Sequence, residues 1–210
     1  MHLEAVSAGW LIFGDGFKQG VVRSLVKRLL DVVGSAVLLL LAAPVMLVTA
    51  VLVFLESGLP IFYRQERVGL NGQTFNVIKF RSMRQDAEKD GTPRWAGAGD
   101  ARVTRVGKFI RKTRIDELPQ LLCVLKGDMS LVGPRPPLPE EVARYGMLYS
   151  TRLLVKPGIT GPWQISGRSD LTQEQSEYAD VSYIQDWSIT GDIVILLKTV
   201  VAVFKGTGSY

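Results

Sequence analysis

VVGSAVLLLLAAPVMLVTAVLVFL, residues Val32 to Leu55, is the stretch that decides the architecture. It carries no charge and is mostly Val, Leu and Ala. A helix of about 24 residues rises about 36 Å, enough to cross the hydrocarbon core of a bilayer. A buried core helix is the alternative. A cleaved leader fits poorly, because the run starts late, is long and has no small-residue cleavage site after it. Two features argue against a simple crossing. Pro44 sits near the middle, where it removes an internal hydrogen bond and crowds the preceding turn, so a bend is expected. Both flanks are basic, with Lys18, Arg23, Lys27 and Arg28 before the run and Arg64 and Arg67 after it. Cationic flanks favour the cytoplasmic side, which a single crossing denies to one of them. A re-entrant helix that breaks at Ala43-Pro44 and returns satisfies both flanks; a proline-kinked spanning helix is the competing form.

Working outward, Trp10, Phe13, Phe17, Val21, Val22, Leu25 and Leu29 recur at roughly helical spacing with cations between them. That pattern suits an amphipathic lead-in at the lipid headgroups, or a surface helix packed on the domain. On the other side, Leu70-Asn71-Gly72-Gln73 reads as a hairpin turn between Phe62-Tyr63-Arg64 and Phe75-Asn76-Val77-Ile78. Residues 86–101 read as a polar, glycine-rich loop able to move over a site. Val103 to Arg114 reads as a basic helix, and Leu118 to Leu125 as an apolar helix ended near Gly127. Pro134, Pro136, Pro137 and Pro139 make a stiff turn before a short helix, Glu140 to Tyr149. Val155 to Arg168 reads as a loop and Thr172 to Trp187 as a helix. Asp192 to Phe204 is a second apolar stretch, too short to cross, which should pack or lie at the interface.

The chain of 210 residues suits one domain with a core, and 47% hydrophobic with 21% charged residues excludes a disordered chain. A net charge of +5 favours anionic partners. Cys123 is the single cysteine, so no internal disulfide is possible, and it reads as a small buried hydrophobe. His2 is the single histidine, which leaves little room for Ser-His-Asp or Cys-His chemistry or a histidine-rich zinc site. Chemistry here must rest on carboxylates, hydroxyls, Lys, Arg or an oxygen-held metal.

Those groups concentrate in one region. Arg102, Arg105, Lys108, Arg111, Lys112 and Arg114 follow one another without an acid between them, and Asp116-Glu117 comes next. Arg135 is held between Pro134 and Pro136, and Lys79 and Arg81 lie upstream. Guanidinium forks bind phosphate oxygens, and adjacent carboxylates can hold Mg²⁺ together with substrate phosphates. A carboxylate beside a bound phosphate can also attack phosphorus. Singly, each element has a plainer explanation: a basic run as a solvated or membrane-facing surface, an Asp-Glu pair as helix capping, Pro-Arg-Pro as a turn. No GxGxxG fingerprint and no P-loop is present.

Thr113-Arg114-Ile115-Asp116-Glu117-Leu118-Pro119-Gln120-Leu121 and Gly127-Asp128-Met129-Ser130-Leu131-Val132-Gly133-Pro134-Arg135-Pro136 resemble the bacterial sugar transferases, the monotopic polyprenyl-phosphate phosphoglycosyl transferases. Lys79-Phe80-Arg81-Ser82-Met83, Lys156-Pro157-Gly158-Ile159-Thr160-Gly161-Pro162-Trp163-Gln164 and Leu196-Leu197-Lys198-Thr199 match in the same order. The resemblance covers roughly residues 25 to 210, and the carboxy-terminal part resembles the exopolysaccharide branch in its minimal form. It implies a re-entrant helix with its break at Ala43-Pro44, where other members often carry Ser in place of Ala43. It implies Asp116 as nucleophile and Glu117 as its assistant, both as candidates for Mg²⁺. It further implies that Arg111 and Arg135 contact the substrate phosphates.

The expected fold is α+β and mainly helical. It is a membrane monotopic protein with a lead-in over residues 1–30, a re-entrant helix over 31–56 and a cytoplasmic catalytic domain with a short β-hairpin over 57–210. The resemblance implies transfer of a hexose-1-phosphate from a UDP-sugar, first UDP-galactose or UDP-glucose, to undecaprenyl phosphate, with UMP released through an aspartyl-phosphosugar intermediate. Lys79, Arg81, Arg111, Arg114 and Arg135 are the candidate phosphate-binding residues. The expected location is the bacterial inner membrane, with the site on the cytoplasmic face; a homodimer is compatible and a nucleic-acid partner is not expected. A Mg²⁺-dependent nucleotide-sugar hydrolase and a non-enzymatic basic membrane scaffold are the alternatives.

Overall fold

The computed structural model describes residues 20–87, 100–166 and 172–205. The first helix, α1, runs Val21–Ser57. A hairpin follows, β1 Phe62–Val68 and β2 Thr74–Phe80, then α2 Arg105–Lys112, a 3-10 turn Ile115–Gln120 and α3 Leu121–Lys126. Next come β3 Ser130–Val132, α4 Pro139–Val142, α5 Met147–Ser150, a 3-10 turn Thr151–Leu154, β4 Gly158–Thr160 and α6 Pro162–Ile165. Two longer helices close the chain, α7 Gln173–Gln185 and α8 Ile189–Lys205.

α1 is helical at every residue, Ala43 and Pro44 included, so the expected break there is not an unwound segment. Proline removes only the donor that would have met the Leu40 carbonyl, and the rest of the ladder can persist around it. The lead-in and the apolar run are one helix from Val21 onward; Trp10, Phe13 and Phe17 lie outside the described residues. Val21, Val22, Leu25 and Leu29 are exposed, while Asp31 on the opposite face is buried. Polar residues inside the apolar run are satisfied locally: Ser35 and Thr49 donate to the carbonyls of Asp31 and Val45 one turn back.

Both ends of α1 bond to the same folded body. Near its start, the Arg28 guanidinium donates to Val124 O at 2.6 Å and Leu125 O at 2.7 Å, satisfying the last carbonyls of α3. Asp31 Oδ1 accepts from Ser130 Oγ and Leu131 N, both at 2.9 Å. At its far end, Glu56 accepts from Arg105 N at 2.8 Å and Val106 N at 2.9 Å, the free N–H groups that open α2. Between these ends, Val53 packs with Phe80 and Ile110, joined by Met46 and Ala50. The main core lies beyond, built from Val77, Leu121, Cys123, Val124, Met129, Leu131, Val132 and Ile195. Cys123 is buried and forms no disulfide, as its sequence context suggests.

β1 and β2 pair antiparallel from Phe62↔Phe80 to Val68↔Thr74. The turn between them holds Asn71 and Gly72 at positive φ, which only Gly, and Asn among larger residues, readily accept. Alternation along β1 turns Tyr63, Gln65 and Arg67 to the shielded side and Arg64 outward. Strands that composition did not show are β3 and β4, paired parallel at Ser130↔Gly158 and Val132↔Thr160. The segment 155–168 read as loop therefore contains a strand and, at Pro162–Ile165, one helical turn. The helix expected over Leu118 to Leu125 starts instead at Leu121, because Pro119 lies in a 3-10 turn ahead of it. Arg114, expected at the end of a helix, sits at φ 61 beyond α2, and the helix expected over Glu140 to Tyr149 is two single turns. Most of the segment read as a mobile loop, 88–99, lies outside the described residues.

Candidate active site

Asp116 and Glu117 occupy the first turn of the 3-10 segment that follows α2. Arg114 ahead of them is left-handed, a conformation that reverses the chain and turns the pair away from the α2 axis. Neither carboxylate caps a helix, since no side-chain cap closes this turn or α3. Glu117 Oε1 instead accepts from Lys79 Nζ of β2 at 2.7 Å. Asp116 is only 7% exposed, and its Oδ1 has no hydrogen-bond partner among the described residues. A buried, unsatisfied carboxylate oxygen is costly, and one beside several cations marks a position built to meet something else.

The electrostatics separate the two acids. Burial, then the neighbouring Glu117 charge, raises Asp116 to about 7, against the pull of Lys79, Arg114 and Arg111. Burial also pushes Glu117 upward, but Lys79, Arg114, the Lys79 hydrogen bond and Arg135 outweigh it and hold that carboxyl below its ordinary value. Lys79, Arg111, Arg114 and Arg135 are thus brought around the pair, as the sequence suggested.

Arg81 is not. Its Nη2 donates to Ser57 O at 2.6 Å, Ser57 Oγ at 3.0 Å and the Gly58 carbonyl, where it closes the end of α1. Burial lowers its basicity, and its placement gives no support to a role in phosphate binding. A cation that sequence reasoning assigned to the membrane flank lies beside the pair instead. Arg67 Nη1 donates to Pro136 O at 3.1 Å, and the Arg67 guanidinium is drawn down to about 10, first by burial and then by the Arg135 charge. The alternation that turns Arg67 inward and Arg64 outward could have revealed this.

Arg135 is held by its backbone. Prolines bring no N–H of their own, so this segment relies mainly on its carbonyls to be fixed. Pro134 O accepts from Gly158 N at 2.8 Å, Pro136 O from Arg67 and Pro137 O from Val68 N at 2.9 Å. Close approach of β3 and β4 allows this: a Cβ on Gly158 would lie 2.1 Å from Gly133 N, so a side chain there would force the strands apart. The Arg135 guanidinium faces the Trp163 ring at 5.5 Å and lies 3.8 Å from Glu141.

Among the described residues no group of three or more His, Cys, Asp or Glu side chains converges as a metal cage. A carboxylate pair with one unpartnered oxygen fits a hard cation of the Mg²⁺ type, which takes one or two carboxylates and completes its shell with water and substrate phosphate. Asp116 and Glu117 are the residues that would hold it.

The bacterial sugar transferase profile matches residues 22–206. The chain is 47% identical over 194 residues to the galactosyl transferase CpsE of Streptococcus agalactiae serotype III, covering 87% of this chain and 43% of that protein. It is 42% identical over 202 residues to the undecaprenyl-phosphate galactose phosphotransferase of Salmonella typhimurium, covering 88% of this chain and 41% of the relative. With the exopolysaccharide production protein ExoY of Rhizobium meliloti it shares 39% identity over 208 residues, 91% of this chain and 92% of the relative. The chain therefore spans less than half of the first two relatives and nearly all of the third. On the match across residues 22–206 and these identities, the chain belongs to the bacterial sugar transferase family.

Proposed function

We propose that the chain transfers a hexose-1-phosphate from a UDP-sugar to undecaprenyl phosphate, giving a polyprenyl-diphosphate-sugar and UMP. The observation that carries this reading is the buried, unpartnered Oδ1 of Asp116 beside Lys79, Arg111 and Arg114, with Arg135 and Arg67 acting on the adjacent Glu117. An ionised Asp116 attacks the phosphorus that bears the sugar; the bond to the bridging oxygen breaks, and UMP leaves. A phosphate oxygen of the lipid then attacks the same phosphorus, and the aspartate leaves as a carboxylate. Glu117 is the weaker candidate for nucleophile, because Lys79 holds it as an ion pair at 2.7 Å. Arg135 and Arg67 bind and orient the donor diphosphate, and the surrounding cations stabilise charge as it moves to the leaving phosphate. When bound, Mg²⁺ supplies further charge neutralisation at the diphosphate.

A membrane acceptor is supported by the surface. Leu40, Leu41, Leu47 and Leu55 on α1 are 68–77% exposed, and Leu197, Val200 and Val201 on α8 are exposed as well. Apolar area on this scale marks a membrane or partner surface. Arg28 and Glu56, near the two ends of α1, bond to one body, which favours both ends lying on the same side of a bilayer. That supports the re-entrant, monotopic form at the cytoplasmic face of the bacterial inner membrane. The names of the Streptococcus and Salmonella relatives make UDP-galactose the first donor to try, with UDP-glucose second.

The test is UMP release from a UDP-sugar panel by detergent-purified protein with Mg²⁺, with and without undecaprenyl phosphate. Lipid-dependent release with a lipid-linked sugar diphosphate is expected, and Asp116→Asn should lower it about 10³-fold. Release without lipid, with free sugar phosphate, would make the chain a hydrolase. Full activity in Asp116→Asn would remove the nucleophile assignment.

A further inference from the structure

Four successive carbonyls of the segment 134–137 are each taken by a donor, and three of those donors come from the hairpin and β4. The fourth comes from elsewhere. Arg152 Nη2, in the 3-10 turn Thr151–Leu154, donates to Arg135 O at 2.6 Å. Arg152 is itself locked. It pairs with Asp180 of α7 at 2.9 Å, with side-chain exposures of 6% and 2%. Its Nη1 donates to the Tyr145 hydroxyl at 3.0 Å and to the Tyr149 hydroxyl, and its guanidinium lies 4.5 Å from the Tyr149 ring.

We infer that Arg152, held by Asp180, is a positioning residue that aims the Arg135 guanidinium at the donor diphosphate by fixing the Arg135 carbonyl. The inference rests on the phosphate-binding reading of Arg135 given above. A buried ion pair is weak as a source of stability, because desolvation offsets most of its attraction. This pair has a specific geometric task instead. One guanidinium joins α7, the two tyrosines and the backbone of the one residue between Pro134 and Pro136. Burial raises Asp180 only to about 6, so it stays ionised against Arg152 at neutral pH.

The linkage separates positioning from packing. Arg152→Lys keeps a charge near Asp180, but its ammonium ends one bond short of Nη2, the nitrogen that meets both Asp180 and the Arg135 carbonyl. Arg152→Met/Asp180→Leu removes both charges together, which a fold generally tolerates, and the half-buried Tyr145 and Tyr149 hydroxyls can turn to water. Steady-state kinetics with UDP-sugar and undecaprenyl phosphate, alongside Tm, reads the result. Both variants should keep a cooperative melt while raising the donor KM about ten-fold, with kcat at saturating donor changed much less. In an Arg135→Ala background the same changes should add nothing to the donor KM, because the group being aimed is gone. A wild-type donor KM in the folded double variant overturns the inference, as does full additivity with Arg135→Ala. If the double variant does not fold, Arg152→Lys decides by the same donor KM. An unchanged donor KM in Arg135→Ala itself would instead overturn the phosphate-binding reading beneath.

Discussion

Asp116 and Glu117 are adjacent residues with the same functional group, yet their surroundings shift their ionisation in opposite directions. Lys79 claims Glu117, while Asp116 is left with an unpartnered oxygen and a carboxyl raised to about 7. The consequence for stability has a definite sign. Between its ordinary value of 3.8 and about 7, Asp116 binds a proton more tightly in the folded than in the unfolded chain, so stability falls as pH rises through that window. Asp116→Asn, a neutral isostere, should therefore match the wild type near pH 4 and exceed it in Tm at pH 8, measured in EDTA. The displacement limits the gain to about 4 kcal/mol. An equal Tm at pH 8 would mean that Asp116 is solvated or paired in solution. Turnover should rise with pH through the same region, because attack needs the ionised carboxylate.

At the level of elements, short contacts fix helices whose own hydrogen bonding is incomplete at the ends. Arg28 closes α3, Glu56 opens α2 and Arg81 closes α1. The last of these separates two uses of an arginine in a family motif. Arg81→Ala leaves the Gly58 carbonyl without its donor and the Ser57 carbonyl with Gln85 Nε2 at 3.1 Å, in a partly buried site. It should cost about 2 kcal/mol, read as a fall in Tm, with the donor KM held within about two-fold. A large rise in donor KM at unchanged Tm would return Arg81 to the phosphate site.

For the whole molecule, the question is which surface meets the bilayer. α1 carries a buried stripe at Asp31, Ser35, Thr49 and Val53 and exposes most of its remaining apolar surface. Gly20→Cys places one thiol at the start of the helix and Gln73→Cys another in the exposed turn of the hairpin that follows it, and the buried Cys123 is replaced by Ala to remove background. In inverted and right-side-out vesicles, both thiols should react with an impermeant maleimide from the same face. Labelling from opposite faces would mean that α1 crosses the bilayer and that its contacts with the body at one end are lost there.

The sequence by itself determined the long apolar helix, the hairpin turn at Asn71-Gly72, the core role of Cys123 and the dyad with Lys79, Arg111, Arg114 and Arg135 around it. Each of these is local: a run of uncharged residues, a pair of residues suited to positive φ, a cluster of charge near two carboxylates. Only the tertiary structure decided the rest. β3 and β4 are three residues each and pair across a separation that no periodicity records. Arg81 and Arg67 exchanged expected places, because the direction of a side chain depends on the strand face and on the helix end that comes to meet it. Arg152 and Asp180 stand 28 residues apart, as their numbers give, and nothing in their neighbours along the chain marks them. Their pairing is set by the packing of α7 against the turn at Thr151–Leu154, and that contact exists only once the chain has folded.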